Sequence, residues 1–212
     1  MSTEVWLRWA STAAFLAVAG YCVARLAAAH RVPAGYPGRH RAVDVAHVLM
    51  GLGMAAMASP VGGPLPAAGW QTIFLLIMAW FAGAWWHQRR TGPPARDGMG
   101  WHGTGLQHAV AALAMLYMLA SMPHAGHDSA PWLAGHLEPG IALPVVGWAL
   151  VAYFVVMAVV LVARTNWRPA QRTGARTGPP ATPPVLRAPR LTATSETTMA
   201  LGNGYLLVAM LG

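Results

Sequence analysis

The chain has 212 residues, 56% of them hydrophobic and only 9% charged, whereas a soluble domain carries about a quarter charged residues. So few charges exclude a water-exposed globular surface. The net charge of +8 rests on arginine alone, with no lysine, and the arginines cluster between apolar blocks, which excludes a nucleic-acid binder despite the basic balance.

The apolar blocks approach the ~20 residues that span a hydrocarbon core. They predict an all-α integral membrane bundle of about six transmembrane helices, surrounded by the lipid bilayer. Alanine, glycine, proline and arginine without lysine point to a GC-rich bacterial genome, hence to a bacterial inner membrane. The single cysteine, Cys22, excludes an internal disulfide and a Cys-based metal motif. It reads as a small apolar helix residue.

The first span is expected from Val5 to Ala29, too long for a signal h-region and without a basic n-region. The second runs from Ala42 to Ser59 and stops at Pro60, before a charge-free turn. The third covers Trp70 to Trp86, closed by His87, Gln88, Arg89 and Arg90. The fourth runs from Gly105 to Met122 before Pro123, and the fifth from Ile141 to Ala163. Residues 1–163 thus form a five-helix membrane core. Residues 164–190, rich in Arg, Pro, Thr and Gly, have too few apolar side chains to fold alone and are expected as a disordered cytosolic loop. Residues 191–212 hold a sixth, amphipathic helix from Thr192 to Leu211 that completes the same domain. Its polar stripe is tolerable in a membrane where it faces protein.

Arginines fall between spans one and two (Arg31, Arg39, Arg41), three and four (Arg89, Arg90, Arg96) and five and six (Arg164, Arg168, Arg172, Arg176, Arg187, Arg190). By the positive-inside rule these connections are cytosolic and both termini are outside. Trp6, Trp70, Trp86, Trp132 and Trp167 near span ends fit an interfacial belt.

Spans two and four share a pattern. DVAHVLMGLGMAAM (44–57) and GLQHAVAALAMLYM (105–118) both contain His-x6-Met-x2-Met. At about 100° per residue, the methionines lie roughly 20° and 80° from the histidine on one side, so each set shares one helix face. His47, Met50, Met54 and Met57 line one face; His108, Met115, Met118 and Met122 line the other. Span six carries a weaker copy, with Glu196 in the histidine's place and Met199, Asn203 and Met210 in the arc. The three even-numbered helices therefore read as one half of three repeated helix pairs.

Thioether and imidazole donors together suit a soft ion, Cu(I) above Mg²⁺ or Ca²⁺. The expected ligands are the two histidines with their methionines, with Asp44 and Glu196 as supporting carboxylates that orient an imidazole. His124, His127 and His136, on the predicted outer side, form a candidate capture loop. His30, His40, His87 and His102 read as solvated. The ion would be bound or transported along these faces, and two alternatives stand beside this reading: methionine-rich packing in a structural or partner-binding subunit, and a b-type haem held between His47 and His108. No catalytic triad, His-Glu-x-x-His, P-loop or dinucleotide fingerprint occurs, so an enzyme is not expected.

The runs DVAHVLMGLGMAAM, GLQHAVAALAMLYMLA and MALGNGYLLVAML, with the basic connections, resemble an actinobacterial family of multi-pass membrane proteins known as domain of unknown function 5134. The resemblance covers most of the chain outside the Arg/Pro-rich loop and implies a fold and a membrane address without an activity. That family's last helix tends to be richer in methionine than this one, where Asn203 and Gly204 stand.

Overall fold

The computed structural model describes residues 3–31, 38–91, 105–121, 144–167 and 189–211. Among these it is helical apart from the turn at 59–66. The six helices are α1 (Thr3–Arg31), α2 (Gly38–Ala58), α3 (Ala67–Thr91), α4 (Gly105–Ser121), α5 (Pro144–Trp167) and α6 (Pro189–Leu211). All six expected segments are present as helices, and the differences lie at their ends. α2 begins early enough to include Arg39, His40 and Arg41. α3 runs on through Arg89 and Arg90, whose cations at the helix C-terminus are favoured by the macrodipole. α5 and α6 also extend into the Arg/Pro-rich segment from either side. Its remainder, with Met122, His124, His127 and His136, lies outside the described residues.

Four helices are long and apolar enough to cross a membrane: Glu4–His30, Arg41–Ala58, Ala67–Arg90 and Pro144–Ala163. α4 is apolar but has only 17 residues, the short end of the spanning range. α6 is long enough at 23 residues, but its first half is polar. That polarity is dealt with internally. Thr194, Ser195 and Thr197 donate to the carbonyls of Leu191, Thr192 and Ala193, and the Asn203 amide donates to Met199. Hydroxyl and amide back-bonding of this kind removes donors that lipid could not satisfy.

Helices pack as three antiparallel pairs in chain order, α1 with α2, α3 with α4 and α5 with α6. The α1–α2 pair is clamped by charge at both ends. Arg8 on α1 donates to the carbonyls of Ala58 and Ser59 at 3.1 Å each, where α2 ends. Arg41 on α2 donates to Ala29 near the end of α1 at 3.3 Å. A guanidinium on the last carbonyls satisfies orphan acceptors and offsets the negative dipole end. Arg8→Ala is therefore expected to cost about 1–2 kcal/mol, read as a lower unfolding midpoint in detergent. An unchanged midpoint would show that water caps α2 equally well. Between the clamps, a Cβ on Gly51 would lie 3.3 Å from Ala19 Cβ, the close approach that small residues allow between membrane helices. The turn after α2 uses Gly62 at φ 87°, a left-handed conformation that suits glycine.

The surface inverts that of a soluble protein. Val145, Trp148, Val155, Val156 and Val159 on α5, and Leu75, Leu76 and Trp80 on α3, are exposed. Arg25, Asp44, His47, His108, Ser195 and Asn203 are buried. Apolar side chains outward and ionisable ones inward is the arrangement lipid demands. Trp6 and Trp86 are exposed near helix ends, as the interfacial belt requires, and Arg89 and Arg90 lie over the rings of Trp85 and Trp86 at 4.3 and 4.9 Å. Trp70 corrects the belt expectation: it is 4% exposed and stacked on Phe74, because the start of α3 is covered by the turn and by α2. Trp132 and the side chain of Trp167 lie outside the described residues.

Candidate functional site

α2, α4 and α6 meet at the centre and run in the same direction. A Cβ on Gly53 of α2 would meet the Met115 methyl of α4 at 3.3 Å, and one on Gly202 of α6 would meet Met54 Sδ at 3.4 Å. α5 returns antiparallel beside α6, with Gly204 close to Phe154 and Gly147 close to Leu211. The three inner helices border a partly open cavity of about 20 Å³, with α5 as its fourth wall. That is room for a single water or a bare ion.

α2 contributes His47 and Met50 to the lining, and α4 contributes Gln107 and His108. α6 adds Glu196, Met199 and Asn203, and α5 adds Tyr153 and Met157. The two imidazoles meet edge to face, with ring centroids 5.1 Å apart and planes at 60°. Phe81 of α3 stacks on His108 with ring centroids 4.8 Å apart, which helps to hold that ring in place. Asn203 is 0% exposed, and its Oδ1 has no hydrogen-bond partner among the described residues. A buried amide oxygen left in this state costs free energy unless something at the cavity meets it.

The two histidine faces expected from the sequence do turn inward, but their residues separate into two groups. His47, Met50 and His108 border the cavity. Met54, Met57, Met115 and Met118 are buried further along the same helices without lining it. There Met54 and Met115 fill the helix crossings at Gly202 and Gly53, so a continuous column of open thioethers is replaced by a packed layer. Glu196, expected as a supporting carboxylate, borders the cavity directly. Asp44 lies behind His47, and its carboxylate is 3.5 Å from the guanidinium of Arg25. Arg25 donates to Thr192 of α6 at 3.0 Å and lies over the Tyr21 ring at 5.6 Å. Met122 and the candidate capture residues His124, His127 and His136 lie outside the described residues.

Several lining or supporting residues were not expected from sequence: Gln107 on α4, Tyr153 and Met157 on α5, and Cys22 and Arg25 on α1. Gln107 and the α5 residues carry no periodic signal, since they border the cavity only through the way the helices cross. Arg25 did carry one, because a charged side chain well inside an apolar span marks a functional or structural site.

Six helices with an apolar exterior and an ionisable interior around a small cavity define a polytopic membrane helix bundle with an internal polar site. The chain belongs to the family described as Domain of unknown function (DUF5134), whose model matches residues 39–210. The match confirms the resemblance carried by the span-two, span-four and last-helix motifs, and it leaves α1 outside its range. No curated protein and no solved structure matches the chain.

Proposed function

We propose that this membrane protein binds a soft metal ion, Cu(I), in the cavity between α2, α4 and α6. The observation that carries the reading is the convergence of His47, His108, Met50 and Met199 on one ion-sized space. Neutral imidazole and thioether are the donors that Cu(I) prefers and that hard cations avoid. Glu196, Asn203, Gln107 and Tyr153 bring oxygen atoms to the lining, and the Glu196 carboxylate offsets the ion's charge. Packing alone accounts for Met54, Met57, Met115 and Met118, and the reading assigns them that role. Movement of an ion along the bundle would require this packed layer to open, so binding or sensing is favoured over continuous conduction. With the arginine-rich connections in the cytosol, the cavity lies toward the cytosolic end of the bundle and both termini are outside. A haem is disfavoured, because imidazoles 5.1 Å apart around a cavity of about 20 Å³ leave no space for a macrocycle.

The test is anaerobic titration of the purified, reduced protein with Cu(I) against a chromogenic chelator. The wild type is expected to compete for one ion at the cavity. His47→Ala with His108→Ala is expected to weaken binding at least about 100-fold. Equal retention of copper by the double variant would overturn the reading.

A further inference from the structure

Beside His47, α1 and α2 bring three different donor atoms together, two of them on residues that do not line the cavity. A ligand atom from each of Cys22, Asp44 and His47 lies within 4.8 Å of the other two, and all three residues are buried. Cys22 is 0% exposed and Asp44 1%, so lipid and water are both kept away. This thiol is the one cysteine in the chain. Its place follows from helix geometry, because Cys22 and Arg25 are one turn apart on α1, as Asp44 and His47 are on α2. Two side chains of each helix therefore face two of the other.

We propose that Cys22, Asp44 and His47 form a second position for the ion, adjoining the cavity through His47, in which Cys22 binds Cu(I) as a thiolate. The inference rests on the soft-ion reading above and adds the strongest ligand to it. On binding, the Cys22 S–H bond breaks and an S–Cu bond forms. Neither sulfur nor copper changes oxidation state, and the proton leaves to the buffer. Charge selects the ion independently of donor softness. The Arg25 guanidinium, 3.5 Å from the Asp44 carboxylate, already cancels that charge. A thiolate and a monovalent ion cancel in turn, whereas a divalent ion would leave a net positive charge in a medium of low dielectric, which is costly. His47 neighbours both Cys22 and His108, so the proposed positions share one imidazole, by which an ion passes between them. Met50, one turn beyond His47 and bordering the cavity, is buried beside this route.

The experiment is the same Cu(I) titration of the full chain in detergent, read in the ultraviolet for thiolate-to-copper charge transfer and by an indicator dye for released protons. The wild type is expected to show the band and about one proton released per copper. Because the chain has one cysteine, the band can arise only from Cys22 and needs no variant to assign it. Cys22→Ser, or Cys22→Ala where the serine disturbs packing, is expected to lose the band and at least about 10-fold in affinity. His108→Ala is expected to weaken binding while keeping the band. Copper bound by the wild type without a charge-transfer band, or unchanged affinity in both Cys22 variants, overturns the thiolate position and leaves the cavity reading standing. A band that persists with affinity untouched by His108→Ala has the opposite meaning, sinking the cavity reading and keeping the thiolate. A wild type that binds no Cu(I) removes both.

Discussion

Arg25→Met is expected to destabilise the bundle by about 3–5 kcal/mol, the range for removing one partner of a buried ion pair. Arg25 and Asp44 are 5% and 1% exposed, and their charged groups are 3.5 Å apart. Methionine matches the arginine stem in volume but leaves the Asp44 carboxylate without its guanidinium in a region that neither water nor lipid headgroups reach. The substitution also removes the donor to Thr192, a side-chain bond that ties α1 to the polar half of α6. A second change separates lost charge from lost packing. Arg25→Met with Asp44→Leu takes away both charges, and replacing a buried pair by apolar groups is often close to neutral. Most of the lost stability should therefore return in the double variant. Unfolding in mixed micelles, followed by helical circular dichroism against added denaturing detergent, measures both. Equal destabilisation of single and double variants would mean that Arg25 acts through its stem and not through its charge.

The second large effect is expected at Gly202. A Cβ there would collide with Cε1 of Phe15, lie 2.8 Å from its Cζ and reach 3.4 Å from Met54 Sδ. Phe15 is itself buried at 3% exposure, so its ring has little room to withdraw. Gly202→Ala must then push α6 away from α1 and α2, at an expected cost of about 1–3 kcal/mol for overpacking. The displacement carries Glu196, Met199 and Asn203 with it, because one rigid helix bears them all. Cu(I) affinity should fall about 10-fold without loss of any ligand. Gly83→Ala is the control. Nothing lies within 4 Å of a Cβ at that position, and alanine favours helix over glycine by up to about 1 kcal/mol. If Gly202→Ala matches Gly83→Ala in stability and copper affinity, α6 is not held by that contact.

Both results bear on why the cavity is where it is. The upper crossings between α2, α4 and α6 are filled by methionine against glycine, and this fixes how closely the three helices approach. About two turns closer to their N-termini the same helices carry His47, His108 and Glu196, whose side chains converge without filling the space between them. Asn203, next to the Gly202 crossing, borders that space from the packed side. The cavity is thus a consequence of a packed layer next to a polar one on three parallel helices. Arg25 on α1, paired with Asp44 on α2, braces the polar layer from its outer side.

Helical faces were legible in the sequence because they depend on one helix at a time. The rise and rotation per residue put His47 with Met50, Met54 and Met57, and His108 with Met115 and Met118, wherever those helices sit. Blocks of apolar residues between arginine-rich connections were equally legible as helices, since the length of a spanning segment is set by the bilayer. The pairing into three hairpins followed from the repeat. Tertiary structure alone decided which members of each face border a cavity and which fill a crossing, because that depends on distances between helices that no periodicity encodes. It also brought Cys22 and Arg25 on α1 against Asp44 and His47 on α2. In sequence these four residues looked like a small apolar residue, an arginine within a span, a supporting carboxylate and a ligand. Their contact is made by two faces on separate helices, and it exists only once α1 and α2 cross at the glycine and alanine that let them approach.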